Sequence, residues 1–202
     1  MTDHRNNPVA RAFGPMARLG AVLGGWCLVA LSALVGLEVV LRRFFNLSLQ
    51  GVDEFGGYAV AVVAAFAFAN ALLDRAHTRI EIFTEALPGP VRAVLNLLAL
   101  LSMAGFATFM AWRGWTTLME SIEYRSLSGT PLMTPLWMPQ AVWIAGLVFF
   151  AIVAVGAAVH AAALLALDWR RVNRYYGTRS LDEELAEETR SVALRRAREA
   201  AP

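Results

Sequence analysis

Apolar residues gather in four blocks along this chain, at about Met16–Leu41, Phe55–Leu73, Val91–Trp112 and Met138–Leu167. Their polar positions do not recur at the spacing that gives a soluble helix its wet face. Val29–Leu41 carries one charge, Glu38, and Ala59–Leu73 carries none, with Asn70 as its polar exception. An α-helix rises ~1.5 Å per residue and the hydrocarbon core of a bilayer is ~30 Å thick, so ~20 apolar residues suffice to cross it. The pattern predicts an all-α integral membrane protein with four transmembrane helices. Between the blocks lie short connectors, with no soluble domain that would hold a conventional active site.

On this reading residues 1–15 form an N-terminal segment, 16–167 the four-helix transmembrane domain, and 168–202 a partly helical tail. The first connector, Arg42–Glu54, is polar and short. The second, Asp74–Pro90, closes on Leu87-Pro88-Gly89-Pro90, which stops one helix and restarts another. Its mildly amphipathic stretch Ile80–Leu87 suits the membrane surface. The third, Arg113–Trp137, is the longest, and Trp112, Trp115, Trp137 and Trp143 flank it where an interfacial aromatic belt would sit. Pro139 fits the first turn of the last span. In the tail, Ser180-Leu181-Asp182-Glu183 reads as a capping box, and Leu181–Ala201 is rich enough in Ala, Glu, Leu and Arg to predict a short helix. Small residues recur every fourth position at Gly57, Ala61, Ala65 and Ala69, and again at Ala154, Ala158, Ala162 and Ala166. Such strips predict close helix contacts in lipid.

Composition agrees, with 57% hydrophobic and 17% charged residues. Charge adds orientation. Every basic side chain other than histidine is an arginine. Fourteen arginines fall in the two tails or beside the second connector, and four (Arg42, Arg43, Arg113, Arg125) fall on the other side. By the positive-inside rule, both termini and the C-terminal helix are cytoplasmic. The net charge of +2 is then an orientation signal. No basic face interleaved with aromatics points to nucleic acid. The first block is too long for the h-region of a cleaved signal peptide and ends in Arg42-Arg43.

Candidate chemistry is sparse. Cys27 is the single cysteine, so neither an internal disulfide nor a Cys-x-x-Cys redox pair is available. Of His4, His77 and His160, only His160 falls within a span, too few for a membrane di-haem centre. His77 has no second ligand at metal-binding spacing. No span has a central acid or base, a broken helix or an inverted repeat, the usual marks of a solute path. The chain is expected to be no enzyme, to bind no cofactor or metal, and to carry no polar solute by itself.

Charges cluster instead at the membrane borders. Glu38 and Arg42 are four apart with the acid first, the favourable order for a helical pair. Asp53 and Glu54 open the second helix, where the helix dipole favours anions. Asp74–Glu81 is the densest polar segment and contains His77, Arg79 and Glu81. Either these groups cap and anchor helices, or they pair with charges on another membrane subunit.

At these residues the chain resembles the small membrane subunit of tripartite ATP-independent periplasmic (TRAP) transporters, the DctQ-like family. One signature runs from Arg42 through Phe45-Asn46 and Ser48-Leu49 to Asp53-Glu54. A second is His77-Thr78-Arg79-Ile80-Glu81, followed by Leu87-Pro88. The third is Thr130-Pro131-Leu132 with Pro135-Leu136-Trp137-Met138-Pro139. The family's usual tyrosine, tryptophan and first glutamate are replaced here by Arg43, Gly51 and Asp53. The resemblance spans roughly Ala17–Leu167 and leaves the tail outside it. It implies a multi-pass subunit of the bacterial inner membrane that scaffolds a much larger membrane subunit. Uptake of an organic acid, delivered by a periplasmic solute-binding protein, would be driven by an ion gradient. The implied partners are those two proteins and membrane lipid. The candidate subunit-interface or docking residues are Glu38, Arg42, Asn46, Asp53, Glu54, His77, Arg79, Glu81 and Trp137. The alternatives are a regulatory or assembly tetraspan protein, or a helical subunit of a redox complex.

Overall fold

The computed structural model describes residues 7–76, 87–177, 189, 192 and 193. Five helices follow in order: α1 (Pro8–Phe45), α2 (Val52–Leu73), α3 (Gly89–Glu123), α4 (Trp137–Leu167) and α5 (Trp169–Tyr176). The first four are long and apolar enough to cross a membrane, so the described chain is all-α with four candidate spans.

Two helices outrun their apolar blocks. α1 starts at Pro8, inside the segment expected to precede the bundle. Pro8 sits at N1, where its missing N–H costs nothing, and the Asn7 side chain accepts a hydrogen bond from the Val9 N–H at 3.0 Å. α1 ends on Asn46, whose left-handed backbone (φ 53°) suits asparagine and turns its N–H back to the Leu41 carbonyl. The 35 residues of α3 reach Glu123, about three turns past the expected stop at Trp112. Its buried Gly114, Leu118 and Ser121 keep helical spacing beyond the apolar block. Gly114 there faces Trp143, Ile144 and Leu147 of α4. Packing on a neighbour therefore carries the helix where hydropathy falls away, and the loops shrink to residues 46–51 and 124–136. Along the exposed side of α3, the Thr108, Thr116 and Thr117 hydroxyls donate to carbonyls four residues earlier.

α4 is the hub. It packs most extensively on α3, then on α2 and α5, and lightly on α1, whose main neighbour is α2. The spans therefore stand in the order α1–α2–α4–α3. Half of the residues in the apolar window of α4 are buried, against 6% in that of α1. The core runs through Leu100, Ala107, Phe150, Val153, Ala157 and Ala161. The two small-residue strips are each buried over half their length: Ala65, Ala69, Ala154 and Ala158 are covered, whereas Gly57, Ala61, Ala162 and Ala166 are exposed. Four residues advance a helix by slightly more than one turn, so a strict four-residue strip drifts about 40° per step and leaves the contact face. The line that stays buried, Ala154, Ala157, Ala158 and Ala161, follows the i, i+3, i+4, i+7 pattern of one helix face.

At the end of the bundle that holds residue 7 and the α4 C-terminus, Asp168 adopts an extended conformation (φ −159°, ψ 98°). Its side chain caps α5 by accepting from the Arg170 N–H at 3.0 Å. α5 folds back under α3 and α4 and buries Val172 and Tyr176. The Tyr176 hydroxyl lies 2.8 Å from His160 Nδ1 and donates to Asn7 Oδ1 at 3.4 Å. Burial pushes its pKa up to about 12, so it keeps its proton. Asn173 donates to the Gly89 carbonyl at 2.8 Å and accepts from Asn96 at 3.0 Å. Arg75 donates to the Gly177 carbonyl at 3.0 Å. These bonds fasten the starts of α1 and α3 and the end of α2 to one short helix. The capping box at Ser180–Glu183 and nearly all of the helix expected over Leu181–Ala201 lie outside the described residues. So do residues 80–86 of the amphipathic second connector.

Candidate functional site

Six of the nine candidate docking residues gather at the opposite end, which is formed by the loops 46–51 and 124–136. His77, Arg79 and Glu81 lie outside the described residues.

Glu38 lies two turns before the end of α1, on the side where the chain folds back. Its carboxylate is buried and saturated by its own chain. Oε1 accepts from Arg42 Nη2 at 2.5 Å and from Ser48 Oγ at 2.9 Å, and Oε2 accepts from the Leu49 N–H at 2.5 Å. The expected Glu38–Arg42 pair thus forms, but the acid serves chiefly to fold the loop 46–51 back onto α1. Arg42 keeps 65% of its side chain exposed. Asn46 is the left-handed cap described above.

The neighbours Asp53 and Glu54 part company at the start of α2: Asp53 is exposed and Glu54 is buried. Glu54 accepts from the Tyr58 hydroxyl at 2.9 Å and from the Thr130 hydroxyl, which comes from a loop 76 residues away. Thr130 spends its proton on the carboxylate, so the Ser128 hydroxyl donates to Thr130 at 2.8 Å. Ser128 Oγ in turn accepts from the Thr134 N–H at 2.9 Å, and the Ser128 N–H donates to the Thr134 carbonyl at 2.9 Å. One buried acid therefore organises the loop 124–136 through a relay of hydroxyls. Gly51 lets the two loops meet: its φ of 93° strains any residue with a Cβ, and Leu132 occupies the space a Cβ would take.

Trp137 opens α4 with 43% of its surface exposed. With Ile122, Leu127 and Pro135 it lines an open, mainly apolar groove of about 460 Å³, edged by Arg125 and Ser126. The result is a face with Arg42, Asp53 and Trp137 turned outward. Glu38 and Glu54 are turned inward as its supports, while Asn46, the cap of α1, is exposed. Such a face can bind and position a partner. Among the described residues no cluster of His, Cys, Asp or Glu suits a metal ion.

Sequence reasoning did not find the partners of Glu54. Tyr58 stands one helical turn on and had a readable signal. Thr130 is held there by the fold, without any local pattern.

The sequence model of the family described as tripartite ATP-independent periplasmic transporters, DctQ component, matches residues 31–164, more than half of the chain. No curated protein and no solved structure matches it.

Proposed function

The chain belongs to the DctQ component family of tripartite ATP-independent periplasmic transporters, and from that premise we propose that it scaffolds the large membrane subunit of such a transporter. That family is one of small permease subunits, which supports a transport role over a redox or regulatory one. In this reading the large subunit holds the solute path. A periplasmic binding protein delivers an organic acid, an ion gradient drives uptake, and this chain widens the fixed frame against which the transporting part moves.

The observation that supports the scaffold reading best is the one-sided attachment of α1. α2 covers one flank, while Leu23, Trp26, Val29 and Phe44 on the others are more than half exposed. The buried polar and charged side chains among the described residues are Asn7, Glu38, Glu54, Asn96, Ser121 and Ser128. All lie within about two turns of a helix end, so the middle of the bundle is packed with apolar and small residues.

Arg42 tests the docking face. An exposed ion pair shifts an equilibrium by less than about fivefold. Breaking one that is buried at a subunit boundary shifts it by about a hundredfold or more. In cells expressing both membrane subunits, Arg42→Ala is expected to insert normally while recovery of the complex and solute uptake fall together, well beyond fivefold. Parent-like recovery and uptake would remove Arg42 from the interface.

Orientation is tested separately. In a Cys27→Ser background, cysteines at the exposed Ser48 and Gly129 should react with an impermeant thiol reagent in intact cells, and one at Thr178 only after lysis. The opposite pattern would invert the proposed cytoplasmic placement of both termini.

A further inference from the structure

α4 ends at Leu167, whose 84% exposure belongs with hydrocarbon, and α5 begins two residues later with Trp169. The turn at Asp168 thus sets α5 at headgroup depth. An amphipathic helix in that position commonly inserts its apolar side into the membrane. Here that side is already taken: Val172 and Tyr176 are buried against the bundle, and Asn173 is bonded to α3. The outward side carries Arg170, Arg171 and Arg174, all exposed and all within an arc of about 100°. Arg170 is steadied over the Trp169 ring at 5.4 Å. Among the described residues Asp168 approaches Arg171 at 3.5 Å with both side chains substantially exposed, a weak pair. Among the described residues this end of the bundle presents Arg11, Arg18, Arg75, Arg92 and these three arginines against Asp74 and Asp168.

We propose that the Arg170–Arg171–Arg174 face of α5 binds the phosphate headgroup of an anionic phospholipid. Guanidinium groups match phosphate oxygens in charge and geometry. Basic surfaces at the membrane boundary gather anionic lipid from the surrounding leaflet. The bound headgroup would press α5 against α3 and α4, adding a lipid contact to the bonds that hold this end together. The site stands on the four-span membrane reading and is separate from the docking face at the other end.

Native mass spectrometry of the full chain, purified in detergent and equilibrated with mixed phosphatidylglycerol and phosphatidylcholine micelles, reads the preference directly. The parent should retain phosphatidylglycerol over phosphatidylcholine, and the preference should weaken as salt is raised. The triple variant Arg170→Gln, Arg171→Gln, Arg174→Gln should lose retention by about tenfold or more, while the triple lysine variant keeps most of it. Arg43→Gln with Arg113→Gln, at the other end, should match the parent. Unchanged retention in the glutamine variant, equal retention of the two lipids by the parent, or a salt-independent preference would overturn the site. Displacement by glycerol phosphate at concentrations equal to those of the lipid would also overturn it, since the ligand would then be soluble phosphate. Gel filtration checks that the variants fold, and the salt dependence of the parent decides the matter if the glutamine variant does not.

Discussion

Gly146→Leu should prevent the folded bundle from accumulating. Gly146 is buried on α4 where it meets α2. A Cβ there would lie 2.9 Å from the Ala65 Cβ and 3.0 Å from a ring carbon of Phe66. The alanine methyl has no rotamer to retreat into and is 1% exposed, so the helices themselves must separate. Added methylenes in a packed core cost ~1–3 kcal/mol. A leucine at a helix crossing lies at or above that range, because close packing is what holds helices together in lipid. Gly146→Ala should lower the melting temperature in detergent by about 3–10 °C, and Gly146→Leu should yield little or no monodisperse protein. Gly105, with nothing within 4 Å of its would-be Cβ, provides the control. A Gly146→Leu protein that purifies and melts like the parent would mean that α2 and α4 do not meet as described.

The second large effect is expected at Glu54. Removing its carboxylate strips the relay through Thr130, Ser128 and Thr134 of the acceptor that orients it. Glu54→Ala should loosen the loop 124–136 without disturbing the spans. Arg125, exposed in that loop, supplies the readout. Tryptic release of the fragment ending at Arg125 should accelerate about tenfold or more, since cleavage follows the population of the opened loop. Glu54→Gln should fall between, because its amide oxygen still accepts a hydroxyl. Asp53→Asn, on the exposed neighbour, should leave the rate alone. If Glu54→Ala is cut no faster than the parent, the loop is held by something other than this acid.

Hydropathy revealed the spans because the bilayer imposes one requirement on each of them, a long apolar surface. It did not reveal where the helices stop. The stretch 113–123 contains Arg113, Glu120 and Glu123 and reads as a connector, yet it stays helical because its Gly114–Leu118–Ser121 line packs on α4. α5 was readable in principle from the four-residue spacing of Val172 and Tyr176, but eight residues rich in arginine carry too weak a hydrophobic signal beside four membrane spans. The border charges were legible as residues and only half legible as roles. Adjacent acids look alike in sequence. Which one turns inward was decided by the position of Thr130, a long-range consequence of the fold. Glu38 looked like half of an ion pair, and its tightest duties include a backbone N–H that no side-chain pattern announces.

The spatial order of the spans also constrains the order of assembly. α1 and α2 are neighbours in the chain and in space, so this hairpin can close as soon as both have entered the membrane. α3 has its principal contacts with α4 and α5, neither of which exists while α3 is being made. It must wait in lipid until the last span arrives. The central helix is therefore the keystone, laid last, and a chain cut short before it would leave a hairpin and a stray helix with no route to each other.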